Sequence, residues 1–444
     1  MSSPRSSGRR VWSLVRAPIW WTPKVLPVIA AAALAAIAAD VSAGEGLPRV
    51  IAMVVSAVGV AAFAHVVNDL ADREVDRIAG KRNALSNSPG WMPWALMSAC
   101  GVLAITPWIF VSIGIPAAVV LATLVLTSIA YSVPPVRLKR RGLLGAVADA
   151  AVAHVLPTVF AFMLMGSAGS RTTAWWVATV GATVWALGFG IRSIVVHQIL
   201  DMDSDDRASV ETFVVQRGTH RSARTARDAF SLELLGLGLL AFVTVWVAWG
   251  AAIYFAVHLS LWLNHRRWER QPIDTVPTRH GQWMPLAEFY EVWPAIALCG
   301  VLVVEDLRWA WLLGALIVIF WSAVEKQLLD QLTMLVELAS WIVDVLGPIL
   351  ERLGIRTGMT SRSAWGRIVT FGWAIRSGMN RCYHAIRIAL REFGFKLGRT
   401  WWSIFRAHWR VRHWFGPLVR LVRRQKRRAK RILGRGDQPG NLPG

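Results

Sequence analysis

The feature that most constrains this chain is a series of apolar runs, many of them close to 20 residues long, separated by short charged segments. A helix of about 20 apolar residues spans the hydrocarbon core of a lipid bilayer. Only 17% of the residues are charged, which excludes a disordered chain and disfavours an ordinary soluble enzyme. The sequence therefore predicts an all-α, polytopic membrane helix bundle of about ten spans, at 25–39, 50–68, 92–111, 115–131, 145–166, 174–199, 229–248, 250–264, 286–304 and 308–324.

The distribution of basic residues predicts the orientation of these spans. With the N-terminus inside, the inner segments hold 22 Lys and Arg residues, whereas the outer loops hold Arg49, Arg171 and Arg308. Cytoplasmic loops of membrane proteins carry an excess of Lys and Arg. We therefore expect a multi-pass protein of the cell inner (plasma) membrane with both termini and the active site cytoplasmic. The same asymmetry supports dividing the long run 229–264 into two spans at Trp249–Gly250.

An acidic cluster follows the second predicted span. Asp69, Asp72 and Asp76 are spaced three and four residues apart, which places them on one face of a helix. Like charges at this spacing repel, so we expect a cation beside them. Mg²⁺ usually binds through one or two carboxylates plus substrate phosphates. The alternative is a solvated acidic helix end next to Arg73 and Arg77.

A second acidic cluster follows the sixth predicted span, where Asp201 and Asp205 lie one helical turn apart. Both clusters end even-numbered spans, so they lie on the same membrane face. Two sets of carboxylates flanking one cavity could hold two or three Mg²⁺ ions and a diphosphate. The metal ions would neutralise the charge of a leaving diphosphate. We therefore predict catalytic roles for Asp72, Asp76, Asp201 and Asp205.

A basic loop lies between the two acidic clusters. Pro134–Pro135 ends the preceding helix and stiffens the turn. The cations that follow could clamp a substrate phosphate, and ordinary positive-inside topology is the alternative explanation. These cations are Arg137, Lys139, Arg140 and Arg141.

These segments together resemble the UbiA-type intramembrane prenyltransferases. The matching patterns are N-D-x-x-D-x-x-x-D at 68–76, Y-S-x-P-P-x-R-L-K at 131–139 and D-x-x-x-D at 201–205, in the same order and between corresponding spans. The middle pattern is particularly similar to the branch containing chlorophyll synthases and archaeal lipid-ether synthases. The resemblance covers roughly residues 12–325.

The resemblance implies a helical bundle around a cavity that opens to lipid, and Mg²⁺-dependent transfer of an isoprenyl group from an isoprenyl diphosphate to a lipophilic acceptor. It implies that the two acidic motifs bind the diphosphate through Mg²⁺, with Asn68, Asp69, Asp72, Asp76, Asp201 and Asp205 as metal ligands. It also implies that the diphosphate contacts Tyr131, Arg137 and Lys139, together with Arg16, which matches an arginine that many members have before the first span.

The chain departs from the family pattern at three places. Ser209 stands where a glycine is common, the segment 81–85 lacks the usual Arg-Pro pair, and His197–Gln198 replaces a common Tyr-Gln. The identity of the acceptor therefore stays open. Two other functions also stay open: a membrane terpene cyclase, which traps the carbocation internally, and a non-catalytic membrane-surface organiser.

Several ionisable residues lie inside the predicted spans, where such residues are functional candidates by default. For the histidines the alternative is a packing role, and for Arg192 it is an interhelical ion pair, with Asp149 as a candidate partner. The residues are His65, Asp149, His154, Arg192, His197 and His258.

The net charge of +22 is concentrated at the C-terminal end, where residues 362–435 hold 20 Lys and Arg and one acidic residue. Apolar residues recur there every three or four positions, which predicts a basic helix in the membrane interface that binds anionic lipids. Packing against a partner protein is an alternative, and we expect no nucleic-acid binding. The predicted organisation is a bundle at 1–325, an amphipathic connecting helix at 326–360, the basic helical tail at 361–435 and a disordered end at 436–444.

Overall fold

The computed structural model describes residues 13–78, 80–81, 83–166, 168–207, 210–269 and 286–331, together with residues 388 and 392. Throughout these ranges the regular structure is helical and no strand occurs. The predicted tail at 361–435, the end at 436–444 and most of the connecting helix lie outside the described residues. The long helices are α1 (Ala17–Ala38), α2 (Ala43–Ala71), α3 (Met92–Phe110), α4 (Ile115–Ser132), α5 (Leu143–Met165), α6 (Thr173–Arg207), α7 (Phe213–Leu240), α8 (Val245–Glu269), α9 (Ala287–Glu305), α10 (Leu307–Ile319) and α11 (Trp321–Gln331).

Seven of these helices, α1 to α6 and α9, are long and apolar enough to cross a membrane. The bent pair α10 and α11 is an eighth candidate if the two helices form one span. Large apolar side chains on the outside of the bundle, such as Phe110, Val304 and Trp311, are more than 80% exposed. Exposed apolar surface of this kind suits contact with lipid. The prediction of an all-α, polytopic membrane bundle is confirmed, although the described residues contain seven or eight candidate spans and not the ten predicted.

Helix α1 lies in the centre of the bundle, where it contacts α2, α5, α6 and α9. The consecutive residues Val25–Ala36 are all buried, and their many alanines let neighbouring helices approach closely. The helix begins eight residues before the predicted span, at Ala17, and Pro18 lies in its first turn, where proline is well tolerated. This earlier start brings the chain at Arg16 to the edge of the bundle interior.

Helices α6 and α7 form the most extensive helix pair and pack through two glycines. A Cβ atom at Gly188 would lie 2.6 Å from the carbonyl oxygen of Ala229, and one at Gly236 would lie 2.5 Å from the backbone nitrogen of Trp185. Both distances are shorter than a Cβ contact allows, so the close approach of the two helices requires glycine at each position. The long helix α6 is thereby fixed along its length.

The predicted division at Trp249–Gly250 is wrong, because α8 runs through both residues without a break. The chain instead turns at 241–244, between Leu240 and Val245. A single glycine inside a helix costs only about 1 kcal/mol relative to alanine, which is too little to end a helix that packs on its neighbours.

The last predicted span, 308–324, is also not a single straight helix. Helices α10 and α11 meet at Phe320 with a bend of 79°. Phe320 is buried, and its ring stacks on Trp21 of α1 at 5.4 Å. The bend is therefore fixed by packing between distant parts of the chain.

Candidate active site

A cavity of about 590 Å³ lies inside the bundle and is lined by α1, α2, α4, α5 and α6, with one residue from α9. One end of the cavity, which we call the charged end, is formed by residues of the two acidic motifs, the basic loop and Lys81. The residues are Asp72, Asp76, Lys81, Arg137, Lys139, Asp201 and Asp205, together with Arg16. Apolar side chains line the middle of the cavity. They include Val28, Val60, Leu121, Leu124, Phe160 and Phe189.

The first acidic motif lies at the end of α2, with Asp72 and Asp76 in the cavity lining. Asp69 does not line the cavity, because its side chain is fully buried and paired with Arg16. The two nitrogens of Arg16 lie 2.7 and 3.0 Å from the carboxylate oxygens. Arg16 itself lines the cavity. The buried Asp69 therefore fixes the position of Arg16, whose guanidinium lines the cavity.

Asp72 is bound by the two cations of the basic loop. Arg137 Nη2 donates to Asp72 Oδ1 at 3.0 Å, and Lys139 Nζ donates to Oδ2. Lys139 also donates to Asn68 Oδ1 at 3.0 Å. Burial lowers the pKa of Lys139, and the nearby carboxylate of Asp72 offsets this only in part. The loop and the first motif thus form one network.

The two arginines of the charged end have unusual backbone conformations. Arg16 has a φ of 51° and Arg137 a φ of 40°, in the left-handed region that favours glycine. Residues other than glycine are seldom held there unless surrounding contacts impose it, and such residues cluster at functional sites. The ion pairs with Asp69 and Asp72 contribute to holding these conformations.

Asn83 was noted in the sequence only as part of a departure from the family pattern, yet it organises the first motif. Its buried side-chain amide donates to the carbonyl oxygen of Asp69 at 2.7 Å and to Asp76 Oδ2 at 2.8 Å. Its amide oxygen accepts from the backbone N–H of Leu85 at 2.9 Å. Asn83 thereby fastens the loop at 83–85 to the end of α2.

The second acidic motif lies near the end of α6, where Asp201 and Asp205 both bind Lys81. The Lys81 Nζ atom donates to Asp201 Oδ2 at 2.9 Å and to Asp205 Oδ1 at 2.7 Å. Burial lowers the pKa of Lys81, but the two carboxylates outweigh this effect and the pKa is raised overall. Because Lys81 comes from the loop after the first motif, it links the two motifs, and sequence reasoning missed this role.

Tyr131 connects the charged end to the interior. Its hydroxyl donates to Asp149 on α5. The same hydroxyl interacts electrostatically with the carboxylates of Asp72 and Asp205. A π turn at Ala151–Val155 follows Asp149 and contains His154. A turn with i→i+5 hydrogen bonds places residues five apart on a similar side of the helix. Asp149 and His154 both line the cavity.

The remaining intramembrane candidates fall into two groups. Arg192 does not pair with Asp149; it forms a fully buried ion pair with Glu233 on α7, with Nη2 to Oε2 at 2.9 Å. Neither residue lines the cavity, because Arg192 faces the α6–α7 interface. His65 and His197 do line the cavity, with His65 stacked on Trp20. The side chain of His258 lies outside the described part of the chain.

The oxygen atoms at the charged end suit Mg²⁺. Within the described ranges no group of three or more His, Cys, Asp or Glu side chains could hold a metal ion on its own. Asp72 and Asp76 from one motif and Asp201 and Asp205 from the other all line one cavity. Mg²⁺ commonly binds through one or two carboxylates, with substrate phosphates and waters as its other ligands. The donor set therefore fits a metal ion that arrives with a phosphorylated substrate.

Comparison with known proteins gives the family. The sequence model of the UbiA prenyltransferase family matches residues 25–275, more than half of the chain. The chain belongs to the UbiA prenyltransferase family. The matched range of this UbiA-family protein includes both aspartate motifs and the basic loop.

Two relatives illustrate the extent of the likeness. A homogentisate phytyltransferase from Synechocystis sp. is 26% identical over 213 residues, which span 44% of this chain and 63% of the relative, less than two thirds of its length. A UbiA homologue from Archaeoglobus fulgidus, solved with DMAPP and Mg²⁺, aligns with a TM-score of 0.50 at 15% identity. That alignment covers 66% of this UbiA-family chain and 99% of the other, and it shows a shared fold.

Proposed function

We propose that this protein transfers an isoprenyl group from an isoprenyl diphosphate to a lipophilic acceptor in a Mg²⁺-dependent reaction. The observation that carries the proposal is the division of one cavity into a charged end with four carboxylates and an apolar middle. Such a cavity matches a substrate with a diphosphate head and a hydrocarbon chain. The family membership and the relatives' names, a phytyltransferase and a homologue bound to DMAPP and Mg²⁺, support the same reaction.

In this proposal the two motifs hold the metal. Mg²⁺, when bound, would neutralise the developing charge of the leaving diphosphate. The proposed metal ligands in the cavity lining are Asn68, Asp72, Asp76, Asp201 and Asp205. Asp69, which the sequence also predicts as a ligand, is buried and positions Arg16.

The cations of the charged end hold the phosphate oxygens. Arg137 and Lys139 are bound to Asp72, so a phosphate can exchange for a carboxylate at donors that are already in position. Arg16 also lines the cavity, and Tyr131, another lining residue, offers a hydroxyl. The apolar side chains of the cavity middle would shield an allylic carbocation from water until the acceptor reacts.

The cellular setting follows from the charge distribution. We propose that the charged end faces the cytoplasm at the inner membrane, because the basic segments lie beside it. In this arrangement the bundle at 1–325 carries the reaction and the tail at 361–435 binds anionic lipid. These assignments stay predictions, which accessibility labelling of single cysteines placed in the loops tests directly.

The experiment that tests the function uses purified full-length protein and a radiolabelled isoprenyl diphosphate. Asp72→Ala should abolish transfer of label to extracted lipid acceptors, because Asp72 holds two cations of the site and lines the cavity. Glu74→Ala is the matched control, since Glu74 is exposed and pairs with Arg77 at the surface. Full transfer by Asp72→Ala would reject the proposal. A cyclic hydrocarbon or alcohol formed without any acceptor would instead favour a terpene cyclase.

A further inference from the structure

A cluster of polar side chains lies deeper in the cavity, and the proposed handling of the diphosphate does not use it. We call Lys24, Asp149, His154 and Glu291 the inner polar cluster. They come from α1, α5 and α9, and all four line the cavity. Lys24 Nζ lies 3.0 Å from His154 Nε2 and interacts electrostatically with Asp149 and Glu291. Ionisable groups inside a membrane bundle are energetically costly, so their presence marks a candidate functional site.

The inner polar cluster extends from the charged end towards the apolar middle of the cavity. His154 packs edge-on against Phe189 with ring centroids 5.0 Å apart. Phe189 precedes Asp201 by 12 residues on α6, which corresponds to about 18 Å along the helix. Asp149, in contrast, bonds to Tyr131 beside the charged end. A molecule touching both ends of the cluster would therefore lie next to the reacting end of the prenyl chain.

The hydrogen bonds assign the protonation state of His154. With Lys24 as an ammonium, which can only donate, His154 Nε2 accepts the bond. His154 Nδ1 then carries the proton and donates to the Tyr290 hydroxyl oxygen at 3.3 Å. His154 is neutral in this arrangement, and the other members of the cluster are one lysine and two carboxyl groups.

Some hydrogen-bonding capacity of the inner polar cluster is unused. Within the described part of the chain Lys24 makes one hydrogen bond, with His154, although an ammonium has three N–H donors. Glu291 makes none with another described residue and faces the cavity. Both groups line the cavity, so a bound molecule that supplies an acceptor for Lys24 and a donor for Glu291 would be stabilised here.

A hydroxyl group meets this requirement, since it accepts from Lys24 and donates to a carboxylate. A carboxylate on the bound molecule would also accept from Lys24, but it would lie against Asp149 and Glu291. Like charges in a site of low dielectric repel strongly. The cluster therefore discriminates between molecules by the charge of their polar head.

We propose that the inner polar cluster binds the acceptor through a neutral, hydroxyl-bearing head, such as that of an alcohol, a phenol or a quinol, and excludes acceptors with a carboxylate. This inference rests on the proposed function for its meaning, because it names the class of molecule that receives the prenyl group. It concerns different residues from those that hold the diphosphate.

The test is equilibrium binding of two matched probes to full-length protein in lipid nanodiscs without any diphosphate. One probe is a tritiated octyl hydroquinone, and the other is the same compound with a carboxylate on the ring. The neutral probe should bind at least tenfold more tightly. The double variant Asp149→Asn, Glu291→Gln should reduce this preference at least tenfold by improving binding of the carboxylated probe. Lys24→Met should weaken binding of both probes.

The controls separate this inference from the proposed function. Glu45→Gln removes an exposed acid at the far end of α2 and should change nothing. Asp72→Ala should keep the probe preference while losing transfer. If the protein transfers no prenyl group yet discriminates between the probes, only the proposed function fails. Equal binding, preference for the carboxylated probe, binding of neither, or an unchanged preference in the folded double variant each overturns the inference.

Discussion

The two aspartate motifs have similar spacing in the sequence, but the protein holds them in different ways. Around the first motif, side chains from three segments contact separate carboxylates: Arg16 contacts Asp69, the basic loop contacts Asp72, and Asn83 contacts Asp76. At the second motif, the single ammonium of Lys81 contacts both Asp201 and Asp205.

This difference shows that two aspartate motifs of similar spacing can be held with different rigidity. The first motif is part of a network that includes buried groups and two strained arginines, so its geometry is set before substrate binds. The second motif depends mainly on one long side chain from a loop, with His197 Nε2 also lying 3.8 Å from Asp201 Oδ2. A lysine holds many rotamers at similar energy. The first motif is a fixed wall of the charged end, and the second can adjust when its lysine moves.

The largest expected effect comes from removing Lys139, the basic-loop lysine that binds the first motif. Lys139→Met should lower kcat/KM for the isoprenyl diphosphate about 100-fold, because it removes a charged donor shared by Asn68 and Asp72. Initial rates over a range of diphosphate concentrations measure this. The matched control is Lys326→Met, at an exposed residue outside the cavity lining. A decrease smaller than that of Lys81→Met would contradict the comparison.

Removing Lys81, the lysine that binds the second motif, should have a smaller effect on the rate and should also change the Mg²⁺ dependence. Lys81→Met should lower kcat/KM about tenfold, since a phosphate donor is lost while the carboxylates stay. It should also lower the Mg²⁺ concentration that gives half-maximal rate, because Lys81 and Mg²⁺ compete for the same oxygens. A Mg²⁺ titration of the transfer rate measures this, and an unchanged midpoint argues against an adjustable second motif.

The smallest expected effect on the transfer rate comes from removing Asn83, whose amide holds Asp69 and Asp76 of the first motif. Asn83→Ala should lower the free energy of unfolding by about 1–3 kcal/mol, because the carbonyl of Asp69 and a carboxylate oxygen of Asp76 lose their buried donor. The transfer rate should fall a few-fold. Thermal unfolding in detergent compares this variant with Asn87→Ala, an exposed amide in the same loop. Equal melting temperatures would show that Asn83 does not fix the motif.

Much of the fold could be predicted from the sequence, because each apolar run is a local pattern with the length of a membrane span. The motifs could be located for the same reason, since Asp72 and Asp205 lie at the ends of such runs. The turn at 241–244 and the bend at Phe320 could not, because packing against Trp21 and other distant residues decides them.

The partners within the site were harder to predict than its carboxylates. Lys81 lies 120 residues before Asp201, and Arg192 pairs with Glu233 across 41 residues of sequence. No local spacing specifies such pairs. Asn83 is one amide among several polar residues in its loop, and its burial depends on how that loop folds over α2. A lysine between two acidic motifs of one membrane face was the available signal for Lys81.

The π turn at Ala151–Val155 divides α5 into two α-helical segments, and it sets the angle about the helix axis between their side chains. One residue more than an α-helix needs is accommodated there, so the direction of Asp149 is set by the segment before the turn and that of Phe160 by the segment after it. In a continuous α-helix of the same sequence, the segment after the turn would be rotated by about 100° relative to the segment before it. Deleting one residue between 151 and 155 would instead restore α-helical hydrogen bonding and keep the present phase. The lining of the cavity on this wall is thus encoded by the length of the chain as well as by its side chains.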